Sequence, residues 1–590
     1  MGALNLIPLF ILFAVVAGLG WIGYQIYLYS NQLAERGTKH MEKKNVVFTK
    51  DGARVGVKEM SAEKYTDKTQ RAFVKTWNAA QDTTARKGTR TVVNNSIQIT
   101  AFLLYTCVYN LFFHPLKHIP GPLLARATGL PYTYKVRTGK IHSWIQEVHE
   151  KYGEAVRVAP AEVSFISAET AWSDVYGFRT GKYKDTGAYL KDPAWYTMPV
   201  NGVRSILSAD EEAHSRMRRN LSHLFSEKSL RQQESLIRGY VDLLVQRMSE
   251  HAAQGQEMDL VRWFNFTTFD IISDLSFGEP LYCLRDSENH LWVDLILASL
   301  ATTGPLSTRK KYTLVRLYDR LRDLFQDTSR NEQMRISFAR KASEKVQRRL
   351  DQLENDGDDG RPDFFGQIMR TKGSSEKKLS RLEMDSNSVL FLVAGSETTA
   401  TALSGFTYLV LRHPDIHAKL VHELRSSFTS LGDINVEKVG KLEYLTACIQ
   451  EALRMYPPVP TGFPRIVPEG GGEISGHYIP GGTSVYISQL AAYQSERNFK
   501  DASKFVPERW IGASEYDADK KEAYNPFSFG PRNCLGKNLA WAELRLIIAA
   551  IFFAFDLELV NKQQDWMAEQ KLVTLWKKPN LIVRLKAVQE

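Results

Sequence analysis

The sequence predicts a mainly α-helical body with small β-sheets, preceded by N-terminal membrane segments, and three observations predict it. Apolar stretches of helical length fill residues 384–410 and 539–555, with further helical patterns at 142–152, 291–350 and 441–456. Runs of strand character are short and few, at 155–158, 162–166 and 484–487. Two apolar runs, residues 4–29 and 97–113, precede all of these. At 590 residues, 43% hydrophobic and 24% charged, the chain has an ordinary globular composition, enough for one large domain plus an appendage.

In chain order, residues 1–30 read as a transmembrane helix. Trp21, Tyr24, Tyr27 and Tyr29 gather at its far end, and Arg36, Lys39, Lys43 and Lys44 follow. A cleaved signal peptide would want a positive n-region and a clear small-residue cleavage site, which are missing. Residues 31–95 form a basic polar linker or an extra module of unknown role. Residues 96–114 are a second membrane segment, stopped by His114-Pro115 and then Pro120-Gly121-Pro122. If both runs spanned the bilayer below a cytosolic body, the basic segment would lie on the far side, against the preference of Lys and Arg. Either that long loop crosses regardless, or the second run lies flat, or two genes have been joined in this sequence. Residues 115–590 remain as one large folded domain.

The formal net charge of +10 would suit nucleic acid, but its distribution argues otherwise. Residues 31–95 hold fourteen Lys/Arg against seven Asp/Glu, so most of the excess sits beside a hydrophobic segment, and membrane lipid is the expected acidic partner. Nucleic acid is not expected. The four cysteines, Cys107, Cys283, Cys448 and Cys534, lie far apart, which suits a reducing compartment and supplies neither a zinc site nor an iron–sulfur cluster.

Within the body, the first helix (142–152) leads into the strands at 155–158 and 162–166. His214-Ser215-Arg216-Met217-Arg218-Arg219 reads as a basic helix in which His214 and Arg218, four apart, share a face; either Arg218 or Arg219 turns inward. Substrate choice is expected to be written in the basic helices of 291–350, at 183–206 and near 572–576. Residues 384–410 carry Ala394-Gly395-Ser396-Glu397-Thr398-Thr399. Gly weakens a helix by about 1 kcal/mol and Thr hydroxyls compete for its carbonyls, so this turn is expected to open into a small polar notch. In the helix at 441–456, Glu451 and Arg454 share a face. Pro457 stops it, residues 459–463 turn into the cavity with Arg465 beyond, and residues 476–483 read as a hairpin ahead of the strand 484–487.

Phe527-Ser528-Phe529-Gly530-Pro531-Arg532-Asn533-Cys534-Leu535-Gly536 carries the chemistry. One thiolate without a second Cys nearby suits haem better than zinc. Gly530 and Gly536 would let backbone N–H groups approach the sulfur, Arg532 is a fixed cation suited to a haem propionate, and Phe527 shields the sulfur's side of the ring. A phosphate-loop reading of Gly530 to Lys537 fails, because the spacing is one residue too long and Asn538 stands where Ser or Thr should.

The string resembles the haem-binding loop of the cytochromes P-450, F-x-x-G-x-R-x-C-x-G, at all five fixed positions. The resemblance extends over residues 97–590 and implies the fold of that family. It implies heme b with Cys534 as the axial metal ligand, and cofactor contacts from His214, Arg218, Arg465, Phe527, Arg532 and Gly536. It implies a catalytic turn of Gly395, Glu397 and Thr398, in which Thr398 bonds dioxygen and an ordered water while Glu397 leads to bulk protons. It further implies a structural ion-pair network of Glu451 and Arg454 with Arg509, from Pro507-Glu508-Arg509-Trp510. Members of this kind take O2, and electrons from NADPH-cytochrome P-450 reductase with cytochrome b5 as a further candidate, at the endoplasmic reticulum membrane with the catalytic domain facing the cytosol. Ala492-Tyr493-Gln494-Ser495 and Asn498-Phe499-Lys500-Asp501 are similar to fungal secondary-metabolism enzymes of the isotrichodermin hydroxylase kind. The expected reaction is hydroxylation or epoxidation of an apolar small molecule. Rival readings are a haem-thiolate isomerase or peroxygenase, and a non-catalytic haem-binding membrane protein whose working part is residues 1–95.

Overall fold

The computed structural model of the chain describes residues 46–49, 52–55 and 101–588, apart from 182–183, 185–186, 288–290, 324–328, 358–359 and 371–377. The transmembrane reading of residues 1–30 lies outside the described residues, as does most of 31–95. Two units divide the chain, Met1–His114 and Pro115–Glu590.

In the first unit, Val46–Thr49 and Gly52–Val55 pair antiparallel with Thr49 opposite Gly52. Lys50-Asp51-Gly52 between two β-forming runs is a hairpin signal that a linker reading of 31–95 passes over. Further on, Ala101–Phe113 is an apolar helix that exposes Phe102, Tyr105, Phe112 and Phe113. Its last turn, Tyr109–Phe113, widens to a π-helix before extended His114, whose helical conformation the next residue, Pro115, disfavours.

The second unit is helical, with its sheets at the periphery. The helices that matter here are α1 (Glu211–Leu221), α2 (Leu260–Phe277), α3 (Arg381–Arg412), α4 (Glu443–Met455) and α5 (Lys537–Ala554). At 32 residues α3 is about 48 Å long and runs against α2, α4 and α5. It is long and apolar enough to cross a membrane, yet two thirds of that stretch is buried inside the unit, so it is a core helix. A capping box starts it: the Ser380 hydroxyl accepts from Glu383 N–H while the Ser380 N–H donates to the Glu383 carboxylate at 2.8 Å. α1 begins on Asp210, whose carboxylate accepts from Ala213 N–H at 2.9 Å.

Five short strands form the main sheet: β1 (Ala155–Ala159), β2 (Glu162–Phe165), β3 (Leu190–Lys191), β4 (Arg465–Ile466) and β5 (Ser484–Ile487), in the order β1-β2-β5-β4-β3. Only β2 and β5 pair in parallel; β3 and β4 place Lys191 opposite Arg465. The hairpin expected at 476–483 lies earlier in the chain. Gly472–Ile474 pairs with His477–Ile479 across Ser475-Gly476, both with positive φ, and the following residues only connect to β5.

Candidate haem-thiolate site

Cys534 sits in the loop between a 3-10 turn, Gly530–Arg532, and α5, which starts at Lys537. The loop is held by its own backbone: Cys534 N–H donates to Phe527 O at 2.8 Å, and Gly536 N–H points at the sulfur. Burial pushes the Cys534 thiol up, while that N–H, Arg218 and Lys537 pull it back. Gly530 is required by the fold. Its φ is +75°, and a Cβ there would lie 1.9 Å from Tyr176 O. Gly536 is a different case from the one expected: its φ is −85° and the nearest atom to a Cβ is Phe225 at 4.0 Å, so the protein itself does not demand glycine. Gly536 instead borders the cavity that Cys534 faces, and the room it leaves belongs to whatever fills that cavity.

The cavity that Cys534 borders is lined also by Ala394, Gly395, Thr398 and Thr399 of α3, and by Val459 and Phe463. The expected opened turn is absent, since α3 runs unbroken from Arg381 to Arg412. The weakness is taken up at the side chains: Thr398 donates to Ala394 O at 2.7 Å, and Ser396 donates to Leu392 O, in the manner that bends a helix without breaking it. Gly395 has a packing reason besides, because a Cβ there would meet the Ile272 side chain of α2 at 2.6 Å. Glu397 departs from expectation. It is buried, does not line the cavity, and is held by the Lys578 ammonium, which also donates to Thr401 at 2.9 Å. Adjacent residues on a helix point about 100° apart, so Thr398 and Glu397 serve different faces of α3. The carboxyl that does line the cavity is Glu543 of α5. Burial pushes it up to about 8, Thr399 hydrogen-bonds it, and its Oε1 has no partner.

The cations converge as expected, with one addition. His214 and Arg218 both line the cavity, and Arg219 is exposed, which settles which of the two arginines turns inward. Arg218 grips the Cys loop, donating to Asn533 O at 2.8 Å and to Asn533 Oδ1 at 2.5 Å. Arg532 donates to Ala209 O at 2.8 Å and pairs with Glu211 at 2.9 Å. Arg465 does not itself line the cavity; it donates to Tyr189 O at 3.3 Å, and its buried Nε is unpartnered. Lys191, which the sequence reading missed, does line it. Burial brings His214 down to about 3, helped by Arg532, Arg218, Lys191 and Arg465. Burial also holds Lys191 well below the usual lysine range, again with Arg465 and Arg532 against it. Among the described residues Arg218, Arg465 and Arg532 have one carboxylate partner between them, Glu211, which favours added negative charge.

Phe527 borders the cavity on the sulfur's side, its ring 6.1 Å from that of Trp541. By contrast, residues 572–576 do not line it: Leu572 is packed by Gly139, and Trp576 stacks on Tyr456 at 5.1 Å, so the expected substrate role of this segment is not borne out. Behind the cavity the ion-pair network is present and larger than expected. Glu451 takes Arg454 at 2.8 Å and Arg509 at 3.1 Å, with Trp510 Nε1 donating at 2.9 Å, and Asp519 supplies a second carboxylate to Arg509. All four charged side chains are fully buried.

The residues fit an iron porphyrin. Among the described residues no three His, Cys, Asp or Glu gather around one point, so an iron on Cys534 would need a macrocycle for its remaining ligands. Small residues on α3 and Gly536 leave room for a flat ring, and the cations await its carboxylates. The profile of the family described as Cytochrome P450 matches residues 120–584. The chain belongs to the cytochrome P450 family. It is 45% identical over 498 residues to the cytochrome P450 monooxygenase traB of Penicillium crustosum, which is 83% of this chain and 96% of that one. It is 44% identical over 490 residues to lcsI of Purpureocillium lilacinum, with 83% and 92% covered, and 41% identical over 492 residues to aclL of Aspergillus oryzae, with 83% and 97%. Both of these are cytochrome P450 monooxygenases as well. The chain is therefore a monooxygenase of this family, and the family implies haem with a thiolate iron ligand.

Proposed function

We propose that this cytochrome P-450 is membrane-anchored and hydroxylates or epoxidises an apolar small molecule in secondary metabolism, using O2 and electrons from NADPH-cytochrome P-450 reductase at the endoplasmic reticulum. The observation that carries the reading is that Cys534 lines one cavity together with Ala394, Gly395 and Thr398 of α3. Heme b bound there supplies thiolate-ligated iron, the centre at which dioxygen is reduced and one oxygen atom passes to substrate. The chain's own residues do the rest. Cys534 is presented by a loop clamped through Arg218 and its own amides; Gly536 N–H tempers the sulfur's charge. His214, Arg218 and Arg532, which line the cavity, would hold the ring's carboxylates, with Arg465 lying behind them. Thr398 lines the cavity with its hydroxyl bonded to Ala394 O, and Thr399 lines it beside Glu543.

Apolar substrate follows from the wall above: Ile206, Leu207, Leu390, Ala394, Val459 and Phe463 line it. Secondary metabolism rests on the fungal relatives together with the motifs at 492–501. Membrane attachment rests on the apolar run ending at Phe113 and the exposed aromatics it carries.

Difference spectroscopy of the reduced, carbon-monoxide-treated protein tests the ligand. A band at about 450 nm is expected from thiolate ligation and is abolished in Cys534→Ala; a normal band in that variant overturns the assignment. Incubation of the reductase-supplied protein with extracts of the producing cell, read for a gain of one oxygen atom in mass, tests the substrate class.

A further inference from the structure

Lys191 has no role in the loop, turn or network described above, yet the fold buries it beside Arg465 and Arg532. β3 is only two residues long and pairs with β4 so that Lys191 lies directly opposite Arg465. Like charges directly opposed on neighbouring strands destabilise the pairing. The ammonium lines the cavity with Arg532 and His214. Its only polar contact among the described residues is the Tyr196 hydroxyl at 3.0 Å, with the rings of Tyr196 and Phe463 4.4 and 5.6 Å away. The carboxylates that could have neutralised it are taken: neighbouring Asp192 pairs with Lys311 at 2.8 Å, and Glu211 pairs with Arg532. The facing Arg465 leaves a buried Nε without a partner.

We propose that Lys191 is a carboxylate-binding residue of the cavity, acting with Arg532 and His214 on one carboxylate that enters from outside the chain. The proposal rests on the haem reading of the cavity. Two sources share this chemistry: a propionate of the porphyrin, and a carboxylate carried by a substrate. A propionate is the expected one, because Arg532 sits two residues from the iron ligand and Lys191 shares its wall. Bound carboxylate bridges β3 to the Cys loop, and through Lys191 and Tyr196 it fixes the segment that leads to Ile206 and Leu207 over the cavity. Lys191 is thus a positioning residue.

The test compares holoenzyme with Lys191→Met and Lys191→Arg, after the carbon monoxide band of the wild type has established thiolate-ligated haem; a wild type without that band defeats the haem reading instead. Three readouts follow: the rate of haem transfer to excess apomyoglobin, the propionate-bending band in resonance Raman spectra, and spectral titration with lauric acid against its methyl ester. Loss of one charge-assisted hydrogen bond predicts haem transfer faster by about ten- to a hundredfold in Lys191→Met, a shifted propionate band, and substantial recovery in Lys191→Arg. If haem retention and the Raman band are unchanged while lauric acid, and not its ester, loses affinity in Lys191→Met, the carboxylate is the substrate's and the propionate assignment falls. If neither moves, Lys191 binds no carboxylate and the proposal is overturned. Should Lys191→Met not accumulate, Lys191→Gln, which keeps a polar contact for Tyr196, carries the same comparison.

Discussion

Thr398 spends its hydroxyl on Ala394 O, a carbonyl that also serves the helix ladder, so removing it costs α3 little. Thr398→Ala is therefore expected to keep its haem and its thermal midpoint, while product formed per NADPH falls several-fold and hydrogen peroxide rises in its place. Peroxide yield per NADPH consumed is the measurement; unchanged coupling removes Thr398 from proton delivery. Glu543 titrates in the opposite sense to most carboxylates. Burial first of all raises it to about 8, with Thr399 working the other way, so the folded chain holds a proton that the unfolded chain has released. The stabilising proton is fully present in both states below the ordinary carboxylate range. Above it, stability falls with rising pH by about 1.4 kcal/mol per unit until the folded group ionises near 8. Glu543→Gln should flatten that descent. Its thermal midpoint relative to wild type is expected to climb between about pH 5 and pH 8 and then level off.

Among elements, the buried four-charge network between α4 and the segment 500–519 separates structural from decorative ion pairs. Glu451→Gln leaves the buried Arg454 guanidinium without a carboxylate and Arg509 with Asp519 alone, a loss of about 3–5 kcal/mol, whereas Glu508→Gln removes a partly exposed partner of Lys419 and keeps an acceptor for Tyr444, and costs under about 1 kcal/mol. Yield of soluble, haem-loaded protein should collapse in the first and hold in the second. The Glu397–Lys578 pair is expected to behave like the first class. Lys578→Met strands a buried carboxylate, and adding Glu397→Gln should restore part of the lost thermal stability, a coupling that a double-mutant cycle reads directly. What the sequence made legible follows the range of the forces involved. Helix ends are local: Pro457 beyond α4 and the start of α5 after the Cys loop fall within two residues of their expected positions. The Cys loop, the inward face of α1 and the wall of α3 are equally local patterns, and they place Cys534, Arg532, His214, Arg218, Gly395 and Thr398 on the cavity. Lys578 reaches Glu397 over 181 residues, and Lys191 meets Arg465 through two strands of two residues each; no periodicity announces either. The Glu397 partner was illegible for the same reason, since the helix motif fixes its neighbour's direction but not which distant side chain will pair with it.

At the scale of the whole molecule, the cavity and its supports lie within Pro115–Glu590, and the family profile begins at residue 120. The alignment with traB covers 96% of that protein with 83% of this chain, so about a sixth of this chain has no counterpart there. Residues 1–95 are long enough to account for that excess, and the described residues of the candidate site run from Lys191 to Leu544. Deleting residues 2–95 is thus expected to leave the carbon monoxide band and the product pattern unchanged. Membrane retention asks a separate question of the same variant. The apolar run ending at Phe113 remains, with Phe102, Tyr105, Phe112 and Phe113 exposed, and aromatic side chains of this kind favour the bilayer interface. The shortened chain should therefore still sediment with membranes after carbonate extraction. Release into the supernatant would place the anchor within residues 1–30, and a lost carbon monoxide band would make the N-terminal segment part of the enzyme's folding unit after all.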